Sequence, residues 1–262
     1  MAPHATRRGT RERHEALLGL LRDGMTHVDD LADALAVSPS TVRRDLGHLS
    51  EGRKVARTYG GAVVPEAFHE RPIAESAKAQ RKAKEAIATA ARRFAPATGA
   101  IFIDAGTTCG ALARLLAREA TEPGLTVVTR GLETALALAD SEHIDVVLLG
   151  GRVRSLSHGL VGPLTDLAIE RLSFAAAFLG GDAVDPGRGV GEPTLEEIAV
   201  KERVAARAHQ VVVLADATKL AVVDAPAWTS FTGDWTLVTD ADAPSDLPDR
   251  CAAAGVDLTV AE

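Results

Sequence analysis

Two regimes of hydrophobic spacing divide the chain. In the first 65 residues apolar side chains recur at helical intervals in short segments; beyond residue 100 they gather into short, almost unbroken runs. In the first regime Leu17, Leu18 and Leu21 share one face of a helix predicted over 11–21 and closed by Gly24. A second helix is predicted over 28–35, with Asp29 and Asp30 near its start and Leu31, Ala32 and Leu35 facing inward. Val42, Leu46 and Leu49, spaced i, i+4, i+7, mark the buried stripe of a third. Three signals mark its start: Ser38 can accept an orphan backbone N–H as N-cap, Pro39 occupies the first helical position, and Val37 and Val42 have the spacing of a hydrophobic staple. Gly52 ends it. Short β-prone pieces over 53–64 predict a two-stranded wing, which the chain leaves through a turn at Gly60-Gly61. Two short helices, a tight turn and a further helix form a helix-turn-helix.

Residues 64–73 hold two prolines and few apolar side chains, as a linker does. The Ala-, Lys- and Arg-rich stretch 74–94 places Ala83, Ile87, Ala90 and Phe94 at helical spacing and predicts one long helix. The second regime then sets in. Runs at 100–103, 126–129, 145–149, 175–179, 210–215, 235–238 and 257–260 alternate with Ala/Leu-rich helical segments. Near-continuous apolar runs separated by helices predict buried parallel strands. The fold expected is therefore a winged helix-turn-helix (α+β) at 1–64, a linker at 65–74, and a Rossmann-like α/β domain at 75–262.

Composition adds constraints. The chain has 262 residues, 46% hydrophobic but only 3% aromatic, so the core must be mostly Ala, Val and Leu. No apolar run reaches the length of a bilayer span, and the arginine-rich start lacks an apolar signal core; a soluble, cytoplasmic protein with no membrane partner is expected. Cys109 and Cys251 lie far apart with no metal-ligand spacing, so neither a disulfide framework nor a metal site is expected, and no motif calls for a cofactor. Net charge is −7, unevenly spread: residues 1–65 hold 10 basic and 8 acidic side chains, the remainder 19 and 28. A slightly basic head on an acidic body suits a nucleic-acid reader with a separate regulatory domain.

Candidate chemistry concentrates in two places. Ser38, Ser40, Thr41, Arg43 and Arg44 lie off the buried stripe of the third helix, carrying hydroxyls and guanidiniums that bond base edges and phosphates. The second helix of a helix-turn-helix enters the major groove, and Arg53, Lys54 and Arg57 on the wing would follow the phosphate backbone. Tyr59 belongs either to the core or beside the DNA. Gly47 costs the helix ~1 kcal/mol relative to Ala and leaves room for the backbone of DNA or of the wing.

The second place is the rim formed by the carboxyl ends of the predicted strands, where α/β sheets bind ligands. Asp104-Ala105-Gly106-Thr107-Thr108 leads into a helix whose N-terminus, with Gly106, Thr107 and Thr108, can receive an anion. Arg130 follows the next strand. Gly151 and Arg152 follow the third, Arg152 as a bidentate phosphate partner. Asp182 and Glu192 border a glycine-rich segment expected to be a loop, either moving over a ligand or simply long and flexible, and Lys219 follows the fifth run, with Lys201 on the preceding helix. As an alternative, which a resemblance in fold to isomerases and transferases implies, the same rim would serve a sugar-phosphate isomerase or transferase carrying a DNA-binding head. Its general base would be Glu192 or Glu196, but no acid–base pair is evident and no catalytic residue is assigned.

Residues 11–63 resemble the winged helix-turn-helix of the DeoR family of bacterial sugar-operon repressors. The family's recognition helix (Val-Ser-x-x-Thr, then Val or Ile, then Arg-Arg-Asp-Leu) stands here as Val37 to Leu46, and its Arg-x-x-Gly-Gly-Ala wing exit as Arg57 to Ala62. Residues from about 75 to 260 resemble the family's effector domain, similar in fold to ribose-5-phosphate isomerase and the CoA transferases. Asp104–Thr108, Thr129-Arg130, Gly150-Gly151, Phe178–Gly180 and Asp216–Lys219 match its segments in order. Arg130 stands where the family usually has Asn, and Cys109 where it tends to have a small or hydroxyl residue. The resemblance implies a DNA-binding repressor of a carbohydrate operon. Its partners would be double-stranded operator DNA, a phosphorylated sugar or related metabolite as inducer, and further copies of itself as a homodimer or larger oligomer.

Overall fold

The helical stripes of the first fifty residues converge on one small core. In the computed structural model, which describes residues 4–22, 25–51, 55–58, 61–63, 68, 70–231 and 233–262, Leu17, Leu31, Val42 and Leu46 are fully buried together. They come from α1 (His4–Arg22), α2 (Val28–Ala34) and α3 (Pro39–Glu51). Ser38 caps α3 as expected, accepting the Thr41 N–H at 3.2 Å. Beyond it β1 (Ala56–Thr58) and β2 (Gly61–Val63) pair antiparallel as the wing. Gly61 opens β2 rather than leaving the wing, because it bridges to His27 and any Cβ there would strike the Thr26 carbonyl. Gly24, Gly52, Arg53, Lys54, Tyr59, Gly60 and the linker residues 64–67 and 69 lie outside the described residues. The chain divides into two compact units, Met1–Ala67 and Phe68–Glu262.

The second unit is built on a seven-stranded sheet, all of whose ladders are parallel. Its elements run α4 (Ile73–Ser76), α5 (Arg81–Ala91), a 3₁₀ turn (Arg92–Phe94), β3 (Gly99–Ile103), α6 (Thr107–Glu119), β4 (Leu125–Thr129), α7 (Leu132–Leu138) and β5 (Ile144–Leu148). A small hairpin, β6 (Arg152–Val153) with β7 (Leu160–Val161), precedes α8 (Pro163–Ile169) and β8 (Ala176–Leu179). Then come β9 (Ala183–Asp185), β10 (Gly189–Glu192), α9 (Leu195–Ala205), β11 (Val211–Leu214), α10 (Ala217–Leu220), β12 (Ala227–Trp228), β13 (Thr236–Thr239), α11 (Leu247–Ala254) and β14 (Asp257–Val260). The main sheet has the order β14-β13-β11-β8-β3-β4-β5. The seven predicted runs are these strands, each within one residue at either end. Apolar cores form on both faces, one around Ile87, Ile101, Leu112 and Phe178, the other around Phe102, Phe174, Leu179 and Val213. The chain leaves β3 toward β4 on one side and returns beside it as β8 on the other. The crevice of the switch point therefore opens at the carboxyl end of β3.

Three expectations are corrected. The single helix over 74–94 is broken: residues 77–80 form turns, Gln80 is left-handed at φ +52°, and the freed carbonyls of Ser76 and Ala79 bond Lys84 Nζ at 2.5 and 2.8 Å. The glycine-rich segment after β8 is no loop but part of a three-stranded antiparallel sheet, β12-β10-β9, in which Gly191 lies against Ala183, Ala225 and Trp228. The two outer strands are only partly buried, with Val147, Leu148 and Val260 exposed, because edge strands are covered less completely than central ones.

Candidate functional site

Asp104 follows β3 and is wholly buried. Its Oδ1 accepts from Arg130 Nε and the Ala105 amide, at 2.6 and 2.7 Å, and its Oδ2 pairs with Lys201 Nζ from α9. Burial alone would push this carboxyl up; Arg130 and Lys201 outweigh it and hold the group down at about 2. Lys201 also reaches Glu192 Oε1 at 2.9 Å. Burial pushes the Glu192 carboxyl up to about 8 against the pull of Lys201, with Glu197 and Asp182 adding to the rise. Lys201 stays charged through Asp104. The network continues outward: Arg154 Nη1 lies 2.8 Å from Glu197 Oε1, and the Arg154 guanidinium grips both oxygens of Glu70 at 2.6 Å. Arg130 Nη1 is 3.8 Å from Glu197 and has no hydrogen-bond partner among the described residues. An isolated buried charge is costly, and pairing of this kind is what allows these to remain.

Above this charged floor a pocket opens at the switch point. Gly106, Thr107 and Thr108 form one side at the N-terminus of α6, where Gly106 takes φ +108°, a conformation that favours glycine. Asp182 and Lys219, paired at 2.8 Å, form another. Arg130, Glu192, Glu197 and Lys201 reach it from the floor. The remaining wall is the lead-in segment, with Glu70, Arg71, Ile73, Gln80 and Lys84. Asp216 also lines the pocket, capping α10 through the Thr218 amide at 3.1 Å.

Most of the residues singled out from the sequence thus meet, with different assignments. Gly106, Thr107, Thr108, Arg130, Asp182, Glu192, Lys201 and Lys219 line the pocket; Asp104 sits behind it as counter-ion. Arg130, expected as a ligand cation, gives its Nε to Asp104 and lines the pocket, its Nη1 without a hydrogen-bond partner among the described residues. Gly151 and Arg152 do not line the pocket: Gly151 is wedged against Thr165 and Val161, and Arg152 is exposed and paired with Glu196. Glu196, one of the two candidate bases, is therefore outside as well, and Glu192 is bound to Lys201. Sequence reasoning missed Glu70, Arg71, Lys84, Arg154 and Glu197. Glu70 and Arg71 fell in the presumed linker, whose two prolines were the only signal there. Cys109 is buried against the Phe178 carbonyl, where burial first of all pushes its thiol up. Among the described residues no group of His, Cys, Asp and Glu is arranged to hold a metal ion, and no helix is long and apolar enough to cross a membrane.

In the first unit the outer face of α3 presents Ser38, Ser40, Arg43 and Arg44 exposed and Thr41 half-buried. Ser38 Oγ lies 2.8 Å from Ser40 Oγ and 2.9 Å from Thr41 Oγ1. Among the described residues nothing comes within 4 Å of a Cβ placed on Gly47. Asp45, on the opposite face, is buried and ties α3 to α1: Arg13 binds it at 2.6 and 3.1 Å, and His14 Nε2 stands 3.1 Å away. Arg57 lies in β1.

Comparison with known proteins covers both units. Residues 13–68 match the family described as the DeoR-like helix-turn-helix domain, and residues 79–241 that described as the DeoR C terminal sensor domain. The HTH-type transcriptional regulator GlpR of Haloferax volcanii is 31% identical over 247 residues, 94% of this chain and 95% of its own. The HTH-type transcriptional repressor CsqR of Escherichia coli is 31% identical, covering 94% of each chain. The glycerol-3-phosphate regulon repressor of the same organism is 29% identical, covering 79% of this chain and 82% of its own. Among solved structures, ribose 5-phosphate isomerase A from Methanocaldococcus jannaschii matches 56% of each chain at 18% identity with a TM-score of 0.40. The relatives that span most of this chain are regulators, and the isomerase alternative is set aside.

Proposed function

The chain belongs to the DeoR family of DNA-binding transcriptional regulators, and from that premise we propose that it represses a carbohydrate-metabolism operon until a phosphorylated sugar, or a related metabolite, fills the pocket of the second unit. The observation that carries this reading is the pocket itself. It sits at the switch point, with the N-terminus of α6 on one side and the cations Arg71, Lys84 and Lys219 around it, the surroundings an anionic ligand needs. α3 lies in the major groove of operator DNA, where Arg43 and Arg44 read bases, Ser38, Ser40 and Thr41 assist, and Arg53, Lys54 and Arg57 follow the phosphates. The protein acts in the cytoplasm as at least a dimer, since paired half-sites call for paired heads. Leu136, Val147, Leu148, Leu164 and Leu167 are exposed on the second unit and supply apolar surface of the kind homodimers cover. The ligand must favour a state of different DNA affinity, since a ligand indifferent to state shifts nothing.

The test is fluorescence anisotropy on a labelled fragment from upstream of the protein's own gene, titrated with a panel of sugar phosphates and their dephosphorylated forms. Tight, salt-sensitive binding released by one phosphosugar and not by its free sugar is the expected result. Failure of every phosphosugar to alter binding would refute the induction proposed.

A further inference from the structure

Arg130 brings to the floor of the pocket a donor that nothing among the described residues fills. Its side chain is almost wholly buried and lines the pocket. Nε donates to Asp104 Oδ1 at 2.6 Å, which anchors the guanidinium. Nη1 is buried as well, without a hydrogen-bond partner among the described residues. The Glu197 carboxylate stands 3.8 Å from it, beyond hydrogen-bond reach, and is drawn instead to Arg154 at 2.8 Å. Buried donors without acceptors are rare, because each forfeits a hydrogen bond it had in water. One held at the wall of a pocket is completed by what enters the pocket.

The charges around this donor already balance. Arg130, Lys201 and Arg154 face Asp104, Glu197 and Glu70 in one connected network. Glu192, a further carboxyl on the floor, keeps its proton at neutral pH, since burial holds it up at about 8. Nearer the rim Lys219 is matched by Asp182. A donor is therefore open where no surplus charge calls for an anion. A carboxylate seated here would be an unmatched charge out of water, which is costly. A hydroxyl or carbonyl oxygen supplies the missing acceptor and adds no charge.

We propose that Arg130 Nη1 receives an uncharged oxygen of the effector, the hydroxyl or carbonyl at the end of its carbon chain away from the phosphate, and that the pocket thereby selects sugar and polyol phosphates against phosphorylated sugar acids. This rests on the regulatory reading above and narrows the class of its ligand. Arg130 determines specificity by direct contact; Asp104 is a positioning residue, acting through the Nε it holds.

The test is calorimetry on full-length protein with two series of probes, each differing only in its end group. One is sorbitol 6-phosphate, glucose 6-phosphate and 6-phosphogluconate; the other is glycerol 3-phosphate, glyceraldehyde 3-phosphate and 3-phosphoglycerate. In the series that wild-type protein binds more tightly, the alcohol or the aldehyde should bind at least about tenfold more tightly than the acid. Which of the two leads tells a hydroxyl from a carbonyl. Arg130→Lys keeps a cation for Asp104 but withdraws the second nitrogen, and should weaken the uncharged probe about tenfold, as loss of one charge-assisted contact does. Glu197→Gln removes one negative charge from the floor at nearly constant shape, so the acid should gain about tenfold, a gain that no folding defect produces. Arg118→Ala, at an exposed site away from the pocket, should change neither. Should Arg130→Lys fail to fold, Glu197→Gln decides alone. An acid that binds wild-type protein as tightly as its uncharged partners, no gain in Glu197→Gln, or saturable binding by neither series would overturn the seat. The DNA assay separates the two readings. An acid-ended phosphosugar that releases DNA at a lower concentration than its uncharged partners overturns the seat and spares the repressor. The expected discrimination in calorimetry, with no phosphosugar altering operator affinity, supports the seat and refutes the induction.

Discussion

Arg130 shows how burial decides what a charged residue does. Its position after β4 invites a ligand-binding reading, and at 2% exposure its Nε must also hold the buried charge of Asp104. Removing one partner of a buried pair strands the other, so Arg130→Ala should destabilise the second unit by about 3–5 kcal/mol in urea unfolding. Glu192 behaves in the opposite sense to Asp104. An unfolded glutamate releases its proton near pH ~4.3, whereas folded Glu192 keeps it up to about 8. Across that window the native state holds the extra proton, so the stability this group contributes is full below the window and falls as pH rises through it. Glu192→Gln removes the slope: its stability relative to wild type should climb steadily from pH 5 to pH 8 in parallel denaturation curves. A difference independent of pH would refute the assignment. In the first unit Asp45→Ala strands Arg13 and frees α3 from α1. A loss of about 1–3 kcal/mol is expected in thermal unfolding, with weakened binding to every DNA sequence alike, since Asp45 faces away from the exposed arginines.

At the scale of elements, the strands were legible because a strand buried on both faces has to be written almost wholly in Val, Ile, Leu and Ala. The recognition helix was legible because cap, proline and staple agree. β9 and β10 were not: Gly181, Gly187, Gly189 and Gly191 read as a mobile loop, whereas Gly191 is glycine because β10 runs against Ala225 and Trp228. Gly191→Ala should therefore cost about 1–3 kcal/mol by overpacking, where a flexible loop would have tolerated it; chemical denaturation distinguishes the two. The break at 77–80 was hidden inside a helix-favouring composition, and it depends on Lys84 reaching back to cap the carbonyls. The pocket was legible in part. Its glycine and threonine turn, Asp182 and Lys219 follow strands, but Glu70 meets Arg154 across 84 residues and Lys201 meets Asp104 across 97, pairings that no local spacing announces.

At the scale of the whole molecule, charge is divided as function requires. The first 65 residues carry a net +2 and the rest −9, so a basic reader is joined to an acidic sensor that discourages loose contact with DNA. Arg43→Ala or Arg44→Ala should cost ~1–3 kcal/mol of operator affinity and relax preference at one base pair, whereas Arg57→Ala should weaken all sequences and flatten the salt dependence. Equal losses on operator and random DNA for all three would remove that division. In the function proposed, pocket and DNA face are coupled, and coupling is reciprocal. The most direct measurement is calorimetric titration of the inducing phosphosugar into full-length protein, alone and with saturating operator DNA. Operator should weaken phosphosugar binding by the same factor by which phosphosugar weakens operator binding. Identical phosphosugar affinity with and without DNA would show the two sites to be uncoupled and overturn the induction proposed.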